Sequence, residues 1–317
     1  MTTRQIYIMK TIKYNLQKKA FVLSLVLWIT AAMMLLALLF IRMSKEETII
    51  YKKMHQKLEL EIQAQSLFEQ LSFYLSTGKF KSTYVQNELK GFPNKISLDK
   101  NDYNITKGKM ICHYSLFDHS ALFNLRFLLV SDIAQRTIES IIHKNYPFQD
   151  IYFDWIDRDD LSRINGAEKS EYLLNDYGYI PANLTSFQQK ESLYLLKDMY
   201  KLDQNNKNKI IKYFTTYGNV PINIMLIDLI QLQAFFPEKD IDDLKRLIFL
   251  RENNPAKYIS LFKRSKANQD SYSTLSSKTV TINIECSQKG VLSRQKIIVD
   301  FSATNSRSWA ILEFYKY

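Results

Sequence analysis

The chain has 317 residues, of which 46% are hydrophobic, and a formal net charge of +11. This length allows one large or two modest folded domains. Five basic residues lie in the first 20 positions, and the rest of the chain carries 38 Lys and Arg against 32 Asp and Glu without blocks of like charge. Such a mixture is typical of a solvated surface rather than a nucleic-acid-binding stripe, so we expect no nucleic-acid partner.

A single membrane span is predicted near the N-terminus. An uncharged run, Ala20–Ile41, begins where the basic leader of residues 1–20 ends. About 20 apolar residues cross the hydrocarbon core of a bilayer, and the basic flank predicts a cytoplasmic N-terminus with the remainder outside. Apolar residues continue at helical spacing, without Pro or Gly, to Thr77. We therefore predict a transmembrane and stem helix over residues 21–77; the alternative is a buried core helix, which is typically shorter.

Next, the sequence contains none of the common catalytic motifs. The seven glycines lie at least 12 residues apart, which excludes GxGxxG, the P-loop and the G-x-S-x-G elbow. The four histidines form no HExxH and have no cysteines at zinc-binding spacing. We therefore predict that the protein is not an enzyme.

The region after the stem combines strands with a helical block. Residues 109–117 are rich in β-branched and aromatic side chains and predict a strand, and residues 280–286 alternate apolar and polar side chains as a half-buried strand does. Between them, apolar residues recur at helical spacing in segments separated by prolines, including residues 186–200. The prediction is an α+β fold with a helical insertion. Its parts after the stem are a first β part, an inserted helical domain and a second β part, at residues 78–125, 126–264 and 265–317.

The two cysteines, Cys112 and Cys286, fall on the apolar faces of the predicted strands. A compartment outside the cytoplasm permits disulfides, and two cysteines allow one pairing. Strands about 170 residues apart in sequence need not be neighbours, however. Of the two alternatives, we therefore expect buried free thiols that act as small apolar residues.

One polar segment in the helical block has the composition of a cation site: residues 154–168, DWIDRDDLSRINGAE. Closely spaced carboxylates repel each other unless a cation or protons neutralise them, and oxygen ligands suit Ca²⁺. With Asp157 as the first position of an EF-hand loop, Asp159 is third and Glu168 twelfth, but Leu161 and Ser162 occupy positions that need a ligand and a glycine. The segment is therefore not an EF-hand, and a solvated acidic turn with helix-capping residues is the alternative.

The same segment carries a family resemblance. Over nearly its full length, the chain resembles the K-type minor pseudopilins of the bacterial type II secretion system, the general secretion pathway protein K family. The residues that match family patterns are Asp118, Ser120, Asn124, Asp154, Trp155, Asp157, Asp159, Gly166, Ala167, Glu168, the segments 181–183 and 191–196, and the segment 221–224. The departures from those patterns are Ala121, Arg126, Lys169 and Met225.

The resemblance implies a fold and a metal. It implies a pilin-like antiparallel β-sheet with a large all-helical domain inserted between strands. It also implies calcium bound in the helical domain, with Asp157, Asp159 and Glu168 as candidate ligands, although Lys169 replaces a carboxylate of the family pattern by a positive charge.

The resemblance further implies processing of the leader. A prepilin peptidase would cut between Ala20 and Phe21 and leave an N-methylated Phe21. Leu25 stands where most pilins carry Glu. A carboxylate in the bilayer needs a partner, and in a filament that partner is the amine of the subunit above; Leu25 therefore suits a subunit at the tip, which has no neighbour above it.

The function implied is that of a minor pseudopilin that caps the tip of the type II secretion pseudopilus and takes part in protein export. It would start assembly together with the I- and J-type minor pseudopilins. It would be anchored in the bacterial inner membrane, with a cytoplasmic N-terminus and a periplasmic C-terminal domain. The alternatives are a minor type IV pilin, a single-pass anchored extracytoplasmic binding protein and an anchored hydrolase that uses the acidic segment.

Overall fold

The computed structural model describes residues 3–125, 132–183, 187, 189–218, 221–264, 272–302 and 309–317, with side chains from residue 21 onward except at Tyr200 and Arg264. Arg126, one of the departures from the family patterns, lies outside this set. The first element is helix α1, Thr3–Thr77, which has 75 residues and ends just before Gly78. It therefore includes the predicted stem helix and also most of the leader.

The remaining elements alternate short strands, helices and long strands. In chain order they are β1 (Lys79–Phe80), β2 (Tyr84–Gln86), β3 (Lys95–Ser97), β4 (Asp99–Lys107), β5 (Met110–Asp118), β6 (Phe123–Asn124), α2 (Asp132–Ile142), α3 (Phe148–Ile156), α4 (Lys169–Leu174), α5 (Gln204–Ile211), β7 (Phe214–Thr215), β8 (Ile222–Asn223), α6 (Leu229–Phe235), α7 (Ile241–Asn253), α8 (Pro255–Arg264), β9 (Tyr272–Ser273), β10 (Thr279–Gln288), β11 (Val291–Asp300) and β12 (Ala310–Lys316).

The main sheet is antiparallel and has the strand order β12–β11–β10–β5–β4. Strands β5 and β10 are neighbours although 160 residues separate them, and Leu116 of β5 faces Ile282 of β10 in the ladder. Everything between Asp118 and Thr279 is thus inserted between two adjacent strands. The predicted α+β fold with a helical insertion between strands is confirmed.

Two separate hydrophobic cores follow from this arrangement. In the first, the C-terminal part of α1, from Leu60 to Leu75, packs on one face of the main sheet. That face is formed by the alternating residues that predicted the strands, including Val280, Ile282 and Ile284. The second core lies inside the insertion and is rich in aromatic side chains. Phe123 and Leu125, which follow β5, belong to this second core.

The cysteines differ from the prediction. Cys112 and Cys286 form a disulfide, so the expectation of two free thiols is wrong. The physical reason is the position of the insertion: its two ends return to adjacent strands, which places Cys112 directly opposite Cys286 in the β5–β10 ladder. The separation of the two cysteines along the chain did not indicate that their strands are adjacent.

The predicted helix in residues 186–200 also differs. Within the described part of that segment the chain forms two 3₁₀ helices, Lys190–Leu195 and Met199–Lys201. The buried residues Leu193, Leu196 and Met199 recur every third position, and this spacing matches the three residues per turn of a 3₁₀ helix.

Candidate metal site and contact surfaces

Three carboxylates of the acidic segment converge after α3. Asp154 lies in the last turn of α3, Asp157 caps its C-terminus, and Glu168 immediately precedes α4. One oxygen from each carboxylate lies within 4.8 Å of the others. Asp154 and Glu168 are fully buried, whereas Asp157 is half-buried. The segment thus concentrates three acidic groups at one place.

This cluster contains two of the three predicted ligands. Asp157 and Glu168 belong to it, and Asp159 does not. Asp159 is exposed, and its Oδ1 accepts a hydrogen bond of 2.9 Å from the backbone N–H of Leu161. Asp154 was not among the predicted ligands. The spacing of Asp154 and Asp157 in the sequence could have indicated it, because residues three apart share a helix face.

The loop between α3 and α4 packs closely against the Asp154 carboxylate. A Cβ atom at Gly166 would lie 1.8 Å from Asp154 Oδ2, so only glycine permits this close approach. Asp154 Oδ2 also accepts a hydrogen bond of 3.0 Å from the backbone N–H of Arg163. The glycine in the acidic segment therefore brings the loop backbone against the carboxylate.

Arg163 already supplies one positive charge to the cluster. Its Nη1 lies 2.7 Å from Asp154 Oδ1 and 2.7 Å from Asp157 Oδ2. One guanidinium neutralises one of the three negative charges. Lys169, by contrast, is exposed and forms no ion pair with any described residue.

Arg163 pairs with Asp154 and Asp157 but forms no ion pair with Glu168. Both of its carboxylate oxygens are buried without a hydrogen-bond partner among the described residues, as is Asp157 Oδ1. Burial, followed by repulsion from Asp154 and Asp157, raises the pKa of Glu168 to about 7. A buried charge is costly unless it is paired or coordinates a metal. The oxygen-only donor set and the unpartnered oxygens therefore fit a hard cation such as Ca²⁺.

A second group of family-pattern residues joins the insertion to the sheet. The buried carboxylate of Asp118 accepts hydrogen bonds from Ser120 N–H at 2.8 Å, from the Ser277 hydroxyl at 2.6 Å and from the Ser276 hydroxyl. Residues 118–120 begin the insertion and residues 276–277 end it. One side chain thus ties together both ends of the inserted domain.

Asn223, in the segment 221–224, makes a further link. Its Nδ2 donates a hydrogen bond of 2.7 Å to Ser82 O, next to the small β1–β3 sheet, and its Oδ1 accepts one of 3.0 Å from Met225 N–H. These hydrogen bonds therefore hold the insertion on the sheet.

Exposed apolar side chains lie on the stem and on the edge strand β12. Glu61 pairs with Lys316 of β12 at 2.6 Å, and Phe68 packs against Trp309. Met54 lies seven residues before Glu61 and therefore shares its helix face. The exposed apolar residues are Ile50, Met54 and Leu58 on the stem, on the N-terminal side of Glu61, and Ile311 and Phe314 on β12; together we call them the apolar stripe.

The candidate processing residues lie within α1. Ala20 and Phe21 are consecutive in this helix, and the Phe21 side chain is exposed. The segment from Phe21 is long and apolar enough to cross a membrane, by length and composition. Its apolar side chains as far as Ile41 contact no core of the protein, as is expected of a membrane anchor.

Comparison with solved structures finds the same fold. One chain of the crystal structure of the GspK-GspI-GspJ complex from the enterotoxigenic Escherichia coli type 2 secretion system superposes with a TM-score of 0.50 and 16% sequence identity. The match covers 86% of the present chain and 99% of the other. No protein-family model and no curated protein sequence matches the chain. The chain therefore has the fold of a component of a type II secretion pseudopilin complex.

Proposed function

We propose that the protein is a K-type minor pseudopilin that caps the tip of a type II secretion pseudopilus and helps to start its assembly. The observation that carries this proposal is the place of the helical insertion relative to the membrane-length helix. The fold shared with a component of the GspK-GspI-GspJ complex supports it.

The contacts of α1 locate the insertion along the stem. Lys107 Nζ, at the β4–β5 turn, donates a hydrogen bond of 3.3 Å to Gln63 Oε1. This end of the sheet therefore lies at the membrane-proximal end of the part of α1 that packs on the sheet, Leu60–Leu75. At the opposite end, Phe301 packs against Phe80, which follows the C-terminus of α1. The insertion starts at Asp118, at this second end. A bulky domain at the membrane-distal end of the subunit would block addition of another subunit above it, which is the action of a cap.

The apolar stripe formed by Ile50, Met54, Leu58, Ile311 and Phe314 is the surface that we assign to partner subunits. Exposed apolar surface of this kind marks protein contacts, and β12 is an edge strand with unpaired backbone groups. We expect I- and J-type minor pseudopilins to pack their stems against it. In this function the lipid of the inner membrane surrounds Phe21–Ile41, and a prepilin peptidase cuts after Ala20.

The test is assembly of the three soluble domains. Residues 21–43 belong to neither core, so a chain of residues 44–317 retains both. Mixed with matching domains of I- and J-type partners, it should form a 1:1:1 complex in size-exclusion chromatography with light scattering. Met54→Glu should abolish the complex, whereas Phe249→Glu, a matched change at an exposed site of α7, should not. Monomers only in the unmodified mixture would contradict the proposal.

We further propose that the cluster of Asp154, Asp157 and Glu168 holds calcium. The three unpartnered, buried oxygens support this assignment, and the charge of Arg163 limits the affinity because it competes for two of the carboxylates. Calorimetric titration should give one Ca²⁺ per chain. Glu168→Gln should abolish binding, whereas Asp159→Asn should leave it intact. No calcium binding at millimolar concentration would contradict the assignment.

A further inference from the structure

A second polar site lies between the main sheet and the insertion. A cleft of about 530 Å³ opens between the face of the sheet opposite α1 and the segment that carries the 3₁₀ helices and β7. Its volume is in the range of small-molecule sites. The ionisable side chains that line it, besides tyrosines and His119, are four lysines and two glutamates: Lys100, Lys190, Lys212, Lys296, Glu191 and Glu313.

The lysines in this cleft lack carboxylate partners. None of the four forms an ion pair with any residue that the structure describes. Lys100 Nζ lies 4.1 Å from the centre of the Phe117 ring, and Lys296 Nζ lies 5.7 Å from that of Tyr315. Ring contacts of this kind stabilise an ammonium weakly compared with a carboxylate. Four ammonium groups therefore face one cleft without an ion pair to a described residue.

The two glutamates offset only half of this positive charge. Glu313 uses both of its oxygens for other groups, since Oε1 accepts from the Tyr217 hydroxyl and Oε2 accepts from the Tyr315 hydroxyl at 2.8 Å. Glu191 is exposed to solvent, as are Lys100 and Lys212, whereas Lys190 and Lys296 are half-buried. Counting all six side chains, the cleft retains a net charge of two positive units.

Burial and the positive charge of the cleft together lower the pKa values of Lys100 and His119. Burial, followed by the charge of Lys212 and then that of Lys190, lowers the pKa of Lys100. At the base of the cleft, the ring nitrogens of His119 lie 2.7 Å from Thr215 Oγ1 and 2.8 Å from Thr281 Oγ1. Burial, with Lys190, Lys296 and Lys100 as further causes, lowers the pKa of His119 to about 3. The imidazole therefore remains neutral and adds no charge.

From this geometry we propose that the cleft binds a small, doubly charged oxyanion of the phosphate or dicarboxylate class. Lys190 on the insertion and Lys296 on β11 contact it from opposite walls. Both side chains are half-buried, unlike ordinary surface lysines. Thr216, which is buried on the same wall and makes no side-chain hydrogen bond to a described residue, supplies a hydroxyl donor. A bound dianion would connect the sheet to the insertion beside the link made by Asp118.

The test uses the full chain in a neutral detergent, titrated calorimetrically at pH 7.5 with inorganic phosphate, glycerol 3-phosphate or succinate at constant ionic strength. Chloride is the reference anion. At least one of the three should bind more tightly than chloride, and the tightest identifies the source of the oxyanion. Lys190→Gln and Lys296→Gln should each weaken binding at least tenfold, because each removes a hydrogen bond to a charged group. Lys257→Gln, an exposed lysine of α8, should not.

Melting curves of each variant verify that it is folded. Binding no stronger than that of chloride, or binding unchanged in both cleft variants, would overturn the proposal. Loss of the complex with partner subunits in both variants, without small-anion binding, would also overturn it and would assign the lysines to acidic side chains of a partner.

Discussion

The stem-and-sheet part and the inserted helical part satisfy their buried groups differently. In the first, an apolar helix face covers an apolar sheet face, and a disulfide joins the two central strands. In the second, an aromatic core surrounds carboxylate oxygens that have no partner among the described residues. The buried oxygens without a partner in the sheet part, at Ser72, Gln288, Ser293 and Gln295, are uncharged, whereas those of the insertion include carboxylates. The insertion should therefore respond to a cation or to protons, and the sheet part should not.

The largest effect should come from the disulfide. Reduction, or replacement of Cys112 and Cys286 by Ser, should destabilise the protein by about 4 kcal/mol, since the bond closes a loop of more than 170 residues. Denaturant unfolding of the chain of residues 44–317 measures this change. Calcium binding by the folded fraction should persist, because the cluster lies in the other core. Equal unfolding midpoints with and without reductant would contradict the role given to the bond.

The link between the two parts should be next in magnitude. Asp118→Ala removes the acceptor of the donors on Ser120, Ser276 and Ser277 at the ends of the insertion and should cost about 3 kcal/mol. Asp102→Ala, an exposed aspartate of β4, serves as the control and should change stability by less than about 0.5 kcal/mol. Thermal unfolding followed by circular dichroism compares them. Equal effects of the two substitutions would show that Asp118 does not hold the insertion.

Calcium should stabilise the insertion specifically. At a concentration 100 times its Kd, a ligand that binds only the folded state adds about 2.7 kcal/mol. The chain of residues 44–317 should therefore melt at a higher temperature in calcium than in chelator, and both Asp157→Ala and Glu168→Gln should remove the difference. The response should survive reduction of the disulfide. Identical melting of the unmodified chain in both solutions would make the segment a solvated turn.

Without calcium, the insertion should lose stability as the pH rises. The pKa of Glu168 is raised from 4.5 to about 7 in the folded state, so the folded state binds more protons than the unfolded state between these values. The stability that this proton supplies is present below pH 4.5 and is lost as the pH rises through 7; between pH 5 and pH 8 the loss is about 2.5 kcal/mol. Urea unfolding in chelator at pH 5 and pH 8 measures this loss. Glu168→Gln should flatten the dependence, and an equally steep dependence in that variant would contradict this origin.

Sequence patterns predicted the sheet part well and the insertion only in outline. Alternating apolar residues such as Ile282 and Ile284 report directly on a sheet face, and the strands formed where they predicted. The β5–β10 pairing was not predicted, because it depends on where the chain returns to the sheet after a 160-residue insertion. The Cys112–Cys286 bond was not predicted for the same reason. Asp154 was not predicted as a candidate ligand, because its burial and the close approach of Gly166 are tertiary features.

We propose that the chain is processed and assembled as a pseudopilin, and its native N-terminus provides the test. Protein extracted from membranes of a strain with an active prepilin peptidase should begin at Phe21, with a methyl group on its amine, by mass spectrometry of the intact chain and of its N-terminal peptide. In a strain without the peptidase the leader should remain. A mature protein that retains Met1 and residues 1–20 in the presence of active peptidase would contradict the claim.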